Sequence, residues 1–187
     1  LEYSIFTIGD QLPDGKTYNS KPNSGTADAV GFTYLATTTG FNVKKYINKE
    51  DLPQHSNGGI NIILIRYAEV LLTYAEAKIE ANQIDQSVVD AINKVRQRAD
   101  VNMPPLASIG SQEEMRNIVR HERMVELAFE GLRYIDIRRW KIAENVIPGK
   151  LYGMTYTDDN GTLQTIQIQS FEKTFDKSRD YLWPIPQ

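Results

Sequence analysis

The chain has 187 residues, 41% hydrophobic and 24% charged, with a net charge of −3. That is the make-up of one large globular domain or two small ones, able to bury about 70% of the unfolded surface. The mild acidity argues against nucleic acid as a partner. The absence of cysteine removes disulfides, thiolate nucleophiles and Cys-based metal sites, and no apolar run reaches the roughly 20 residues that span a bilayer as a helix. No signal peptide is visible and the chain opens on Leu1, so the expectation is a processed product or a piece of something longer.

Residues 1–60 are rich in Gly, Asn, Ser, Thr and Pro, with turn signals at Asp14-Gly15, Pro22-Asn23-Ser24-Gly25 and Asn57-Gly58-Gly59. Residues 30–35 and 40–47 read as short strands. This segment is expected to lie on a scaffold formed by residues 61–187. From Ile62 the period changes: Leu64, Ala68, Leu71, Leu72, Ala75 and Ile79 share one helical face, and the helix is expected to run to about Asn82. Asp85 or Ser87 caps the next helix, whose stripe is Val88, Ile92, Val95 and Ala99, and Pro104-Pro105 stop it. So short a connection implies antiparallel packing. Ser111-Gln112-Glu113-Glu114 has the capping-box pattern. The third helix is expected to reach Gly131 and a fourth to run from Leu132 to about Val146. Residues 152–168 alternate loosely around Asp159-Asn160-Gly161, a hairpin signal, and the prolines near Trp183 keep the last stretch extended.

The densest chemistry lies between Arg120 and Trp140, where five arginines alternate with Glu122, Glu126 and Glu130. On a helical wheel Met115, Ile118, Val125 and Phe129 form an apolar arc, with Glu122 inside it and Glu126 at its border. An unpaired carboxylate there would cost several kcal/mol, so Arg66, Arg133, Arg138 and Arg139 are expected as bidentate partners. Glu69 and Arg123 belong to the same structural lattice: Arg66-x-x-Glu69 echoes Arg123-x-x-Glu126, as stacked helix pairs of the tetratricopeptide type would. Two carboxylates one turn apart also suit a glycosidase, but both rise from one helix on the face that packs, whereas a catalytic pair must face substrate across a cleft. No catalytic residue is therefore assigned.

Elsewhere the sequence offers less. His55 and His121 make a poor zinc pair, calcium-loop spacing is absent, and neither a phosphate loop nor a nucleophile elbow occurs; no metal or cofactor is expected. Asn160-Gly161-Thr162 fits a glycosylation acceptor but reads better as a turn. Aromatic rings with polar edges suit the C–H faces of sugars. Tyr18, Phe32, Tyr34, Phe41 and Tyr46 lie in the loop-rich segment, where recognition residues are displayed; of these Tyr18, Tyr34, Phe41 and Tyr46 are the expected ligand contacts, against the plainer expectation that each ring packs on the helices.

Four blocks carry a family resemblance: Arg66-Tyr67-Ala68-Glu69 with its helix to Ala77, Ala91-Ile92-Asn93-Lys94-Val95-Arg96, Arg120 through Trp140, and Tyr181-Leu182-Trp183-Pro184-Ile185-Pro186. Together with Gly40 to Tyr46 they resemble the C-terminal half of the SusD/RagB proteins, over residues 40–187 in segments. Leu132, Met124 and Ile63 depart from the residues common at those places, none within the charge lattice. The resemblance implies a mainly α fold, with SusD-type tetratricopeptide-like paired helices at 62–100 and 111–147, a small β-hairpin and long irregular segments. It implies a non-catalytic oligo- or polysaccharide binder at the outer-membrane surface, lipid-anchored through a segment not present here and joined to an N-terminal half also not present. Its partner would be a SusC-like TonB-dependent transporter. The family's sugar-contacting aromatics lie in variable loops, so no binding residue is carried over. The rival readings are a helical protein-interaction scaffold and a glycoside hydrolase.

Overall fold

The computed structural model describes residues 3–34, 36–54, 57–99 and 101–182. Two compact units divide the chain: a helical unit, Asn61–Ile135, and a loop unit, Leu1–Ile60 with Asp136–Gln187. The C-terminal stretch thus groups with residues 1–60, where the sequence led us to expect it with the helices.

The helical unit is built on α1 (Tyr67–Glu80), α2 (Gln86–Arg96) and α3 (Gln112–Glu126). α1 buries Ala68, Leu72, Ala75 and Ile79 against Val88, Val89, Ala91, Ile92 and Val95 of α2 and Met115 and Val119 of α3. Each fully buried branched side chain in such a cluster contributes about 1.5–3 kcal/mol. Asn82, with φ 55°, turns the chain out of α1, and Gln83 N–H donates back to the Lys78 carbonyl at 2.9 Å, the left-handed ending that Asn tolerates. Asp85 then caps α2 by accepting from Ser87 N–H at 3.0 Å. The capping box forms at α3: Glu114 N–H donates to Ser111 Oγ at 3.3 Å and Ser111 N–H to Glu114 Oε2 at 2.7 Å.

Two sequence expectations shift here. α1 begins at Tyr67, so Leu64 is no part of its stripe; Ile62 is 88% and Leu64 87% exposed in an irregular run that bends at Leu64. The isoleucines before Arg66 favour extended backbone over helix. α3 stops at Glu126 rather than reaching Gly131, and its buried positions are Met115, Val119, Glu122 and Arg123, while Val125 and Phe129 are exposed. The arc is rotated because the late turns of α3 face guanidinium groups instead of apolar side chains.

α4 (Leu132–Arg139) and α5 (Ala143–Val146) follow, and α4 crosses the division between the units. One fourth helix to Val146 does not form, because Lys141 adopts φ 53° and Ile142 N–H closes back on the Ile137 carbonyl at 3.1 Å. In the loop unit, β1 (Ile5–Phe6) pairs antiparallel with β2 (Asn42–Val43), and β3 (Gly149–Thr157) with β4 (Leu163–Lys173). The strand expected at 30–35 is turn and bend over 30–34; its hydrogen bonds run within its own loop. Of the strand expected at 40–47 only β2 forms. The hairpin turn closes over five residues: Asp158 Oδ1 accepts from Asn160 N–H and Thr162 N–H, both at 2.9 Å, and Gly161 takes φ 80°. These N–H donors, Thr162's first, hold the Asp158 carboxyl below its usual range.

Irregular chain in the loop unit is closed by close backbone approach. Met154 N–H donates to the Thr39 carbonyl at 2.8 Å, and a Cβ on Gly153 would lie 2.3 Å from that oxygen. Tyr18 hydroxyl and Ser20 Oγ both donate to the Gly40 carbonyl, at 3.1 and 2.5 Å. A side chain at Gly40 would strike Met154 Sδ at 2.5 Å. Glycine is required at both places.

Candidate functional site

The charged block settles into a lattice inside the helical unit. Arg66, the residue before α1, grips Glu130 bidentately through Nε and Nη2 at 2.8 and 2.7 Å, and Nη1 reaches Glu126 Oε1 at 2.5 Å. Its Nη2 also donates to the Glu126 carbonyl. Burial works against the Arg66 charge, but the hydrogen bonds it donates to Glu130 and Glu126 outweigh it and raise its pKa. Arg98 pairs with the same Glu126 oxygen. Arg96 donates to Glu122 Oε2 at 2.6 Å. Arg123 faces Glu76 at 3.8 Å and donates to Thr73 Oγ1 at 3.1 Å. At the far end of α3, Arg116 forks onto Glu80 at 2.7 and 2.6 Å. α3 is thus tied along its length to α1, α2 and the residues that flank them.

The partners differ in detail from those expected. Glu122 meets Arg96 of α2, a residue the sequence reading did not consider, and Arg98 was missed likewise. Their signal was position: both stand between Val95 and Ala99, the last two residues of the expected apolar stripe. Arg66 does serve Glu126. Arg138 instead holds the carbonyls of Asp180, at 2.7 Å, and of Tyr181. Arg139 pairs with Asp136 at 2.8 Å and lies over the Trp140 ring at 4.8 Å. Arg133 stands half-buried in the first turn of α4. Glu69 forms no ion pair among the described residues. Both α3 carboxylates considered for hydrolysis are therefore engaged by guanidinium groups. His121 is exposed on α3, and His55 lies outside the described residues, as does the closing block from Trp183 onward. Among the described residues no three His, Asp or Glu side chains gather as a metal site would require.

The aromatic residues of the loop unit sort by exposure. Tyr18 must be withdrawn as a ligand contact: it is completely buried, its ring 5.8 Å from that of Phe6 and its hydroxyl spent on Gly40. Burial raises its pKa. Phe41 is half-buried. Tyr34 is 95% and Phe32 61% exposed, and Tyr46, at φ 74°, is exposed as well. The hairpin adds exposed Tyr152 from β3, which sequence reasoning did not single out because strand alternation alone does not tell which side is open.

Phe32 and Tyr34 sit on a loop with its own anchors. Ser24 N–H donates to the Lys21 carbonyl, Val30 N–H to Ser20, Phe32 N–H to Ala29 and Ala36 N–H to Thr33, while Ala29 is fully buried. Lys21 also meets Asp159 of the hairpin turn at 2.7 Å. The rings are thus presented from a pinned backbone, the arrangement that lowers the ordering cost of binding.

Residues 5–187 match the family model described as the SusD family. SusD-like protein P2 of Formosa agariphila is 39% identical over 131 residues, which make up 67% of this chain and 23% of that protein. A SusD-like carbohydrate binding protein from Bacteroides fragilis NCTC 9343 has a similar structure, with TM-score 0.80, 36% identity and coverage of 99% of this chain and 38% of that one. A second SusD-like protein from the same organism gives TM-score 0.78 at 29% identity, covering 99% and 35%. The chain therefore spans about a quarter of the curated relative's length and little more than a third of either solved chain.

Proposed function

The chain belongs to the SusD family, and on that premise we propose that it captures oligo- or polysaccharide at the cell surface without breaking a bond. The observation that carries this reading is the pair of open rings, Tyr34 and Phe32, held out from a pinned loop. Flat rings cover the C–H face of a pyranose while the surrounding Thr, Ser and backbone groups meet its hydroxyls. Exposed Tyr46 and half-buried Phe41 are further proposed contacts. Hydrolysis finds no support, since Glu122 and Glu126 are held by Arg96, Arg66 and Arg98.

Delivery of the glycan to a SusC-like TonB-dependent transporter, at the outer membrane and through a lipid anchor outside this chain, completes the proposal. The longer relatives carry further chain, and we assign to it the open apolar surface of the helical unit. That surface comprises residues 62–65 and the outward stripe Tyr67, Val70 and Tyr74 at i, i+3 and i+7.

Affinity electrophoresis of the 187-residue chain through gels containing a panel of polysaccharides tests the reading. Retardation by at least one polysaccharide, lost in a Tyr34→Ala, Phe32→Ala double variant that still folds, is the expected result. Migration unchanged by every polysaccharide, or equal retardation of the double variant, overturns it.

A further inference from the structure

The helical unit contains a groove, beside the Arg96–Glu122 pair, that the proposed glycan contacts leave unused. Its volume is about 460 Å³, and it lies between the chain leading into α3 and α3 itself. That size falls within the roughly 300–1,000 Å³ of small-molecule sites, and so does the composition, a mainly apolar wall with a few convergent polar groups. Pro104, Leu106 and Ile118 supply the apolar wall, and Asn117, His121 and Glu122 the polar one.

Both sides are fixed before any ligand arrives. The Asn93 side chain brackets Leu106, donating Nδ2–H to its carbonyl at 3.1 Å and accepting its N–H at 2.7 Å. Arg96 donates Nε–H to the Pro104 carbonyl at 2.8 Å, and Met103 N–H returns to the Arg96 carbonyl at 2.8 Å. The same guanidinium reaches Glu122 Oε2 at 2.6 Å. Glu122 is only 8% exposed, yet its second oxygen, Oε1, has no partner among the described residues. That oxygen is not sealed from solvent, so a ligand hydroxyl can reach it and donate to it.

The charges narrow the ligand. Arg96 neutralises Glu122, so the groove attracts neither a phosphate nor an amine strongly. What fits is a neutral ring with one apolar face for Pro104, Leu106 and Ile118 and hydroxyls on its edge for Glu122 Oε1, the Asn117 amide and the His121 imidazole. We propose that this groove is a second, independent binding site for a single neutral hexopyranose ring. It does not rest on the loop aromatics, which lie in the other unit.

The test is a ¹H–¹⁵N NMR titration of the 187-residue chain with methyl α-D-glucopyranoside, methyl β-D-galactopyranoside and methyl α-D-mannopyranoside, and with glycerol as control. Saturable shifts of the Asn117, His121 and Ala107 amides at millimolar concentration of at least one glycoside are expected. Ala107 is an exposed groove residue, so Ala107→Trp should fill the site and abolish the shifts in a folded protein. An Asn117→Ala, His121→Ala double variant should weaken them at least tenfold, while Tyr34→Ala leaves them unchanged. Absence of saturable shifts with all three glycosides, equal shifts in Ala107→Trp, or matching saturable shifts from glycerol would overturn the proposal. None of those results bears on polysaccharide retardation, which reads the other surface.

Discussion

The helical unit and the loop unit are held together by different physics. In the helical unit, apolar stripes with a period near 3.6 seat α1 on α2 and α3, and a row of ion pairs then fixes the register of α3. In the loop unit, apolar stripes are short, and contact is made by close approach to bare backbone: Gly153 against the Thr39 backbone, and Gly40 against the Met154 side chain. The core of the first is locked by paired charge; that of the second depends on having no side chain at two glycines. Recognition residues suit the second, because a loop pinned by backbone bonds can vary its outward rings without disturbing what holds it.

Removing one charge from the lattice is the largest expected break in that contrast. Glu126→Ala strips the shared acceptor from Arg66 and Arg98, and a cost of about 3–5 kcal/mol follows when a mostly buried pair loses one partner. Urea unfolding would show it as a fall in midpoint. The sharper version replaces both members of another pair: Arg96→Met with Glu122→Met should cost less than Glu122→Ala alone, since no unpaired charge remains. Equal costs would mean that the pairs act by packing and not by charge.

Gly153→Ala probes the other principle. Its methyl group would sit at 2.3 Å from the Thr39 oxygen, and backbone cannot rotate away as a side chain can. Forced overpacking costs typically about 1–3 kcal/mol, and the loss should appear with Glu126 and its partners intact. A neutral Gly153→Ala would show that the hairpin moves freely against residues 39–40.

Acid should loosen the helical unit more gently than any of these substitutions. Asp85 is held down to about 2, first by Lys78 and then by Ser87, and Glu80 is lowered first by Arg116. A carboxylate whose folded pKa is depressed adds stability above its unfolded value and loses it as pH falls through the folded one. For Asp85 the loss runs from about 3.8 down to about 2. Thermal melts between pH 6 and pH 2.5 should therefore fall in this window, and added salt should weaken the exposed Glu80–Arg116 part more than the enclosed Arg66–Glu130 part. A melting temperature flat down to pH 2.5 would contradict both assignments.

Much of the helical unit was legible because burial writes itself as periodicity: Leu72, Ala75 and Ile79 face Val88, Ile92 and Val95 as their spacing said, and Ser111 with Glu114 announced the start of α3. What was not legible depends on contacts distant in sequence. The spacing of Val125 and Phe129 matches that of Met115, yet they are exposed, because which arc of α3 packs is decided by α1 and α2. Arg96 became the partner of Glu122 only through the docking of α2 beside α3. Tyr18 looked like its neighbours in a loop-rich stretch, and only the convergence of Gly40, Ser20 and Phe6 on it makes it core. Composition alone gave no means of ranking Tyr34 above Tyr18.

That ranking yields the smallest expected change in stability. Tyr34 is 95% exposed on a turn, and its side chain makes no hydrogen bond among the described residues, so Tyr34→Ala should shift the unfolding free energy by no more than about 0.5 kcal/mol. Tyr18→Phe, by contrast, removes the hydroxyl that donates to Gly40 and should cost about 0.5–1.5 kcal/mol. Sugar binding should respond in the opposite order. An aromatic contact contributes about 0.5–1.5 kcal/mol beyond its buried area, so losing Tyr34 should weaken polysaccharide retardation by close to tenfold or more, while Tyr18→Phe leaves it intact in the folded protein. If Tyr18→Phe weakened retardation as Tyr34→Ala does, binding would depend on the rigidity of the loop unit and not on its exposed rings, and the division between holding and recognising drawn above would fail.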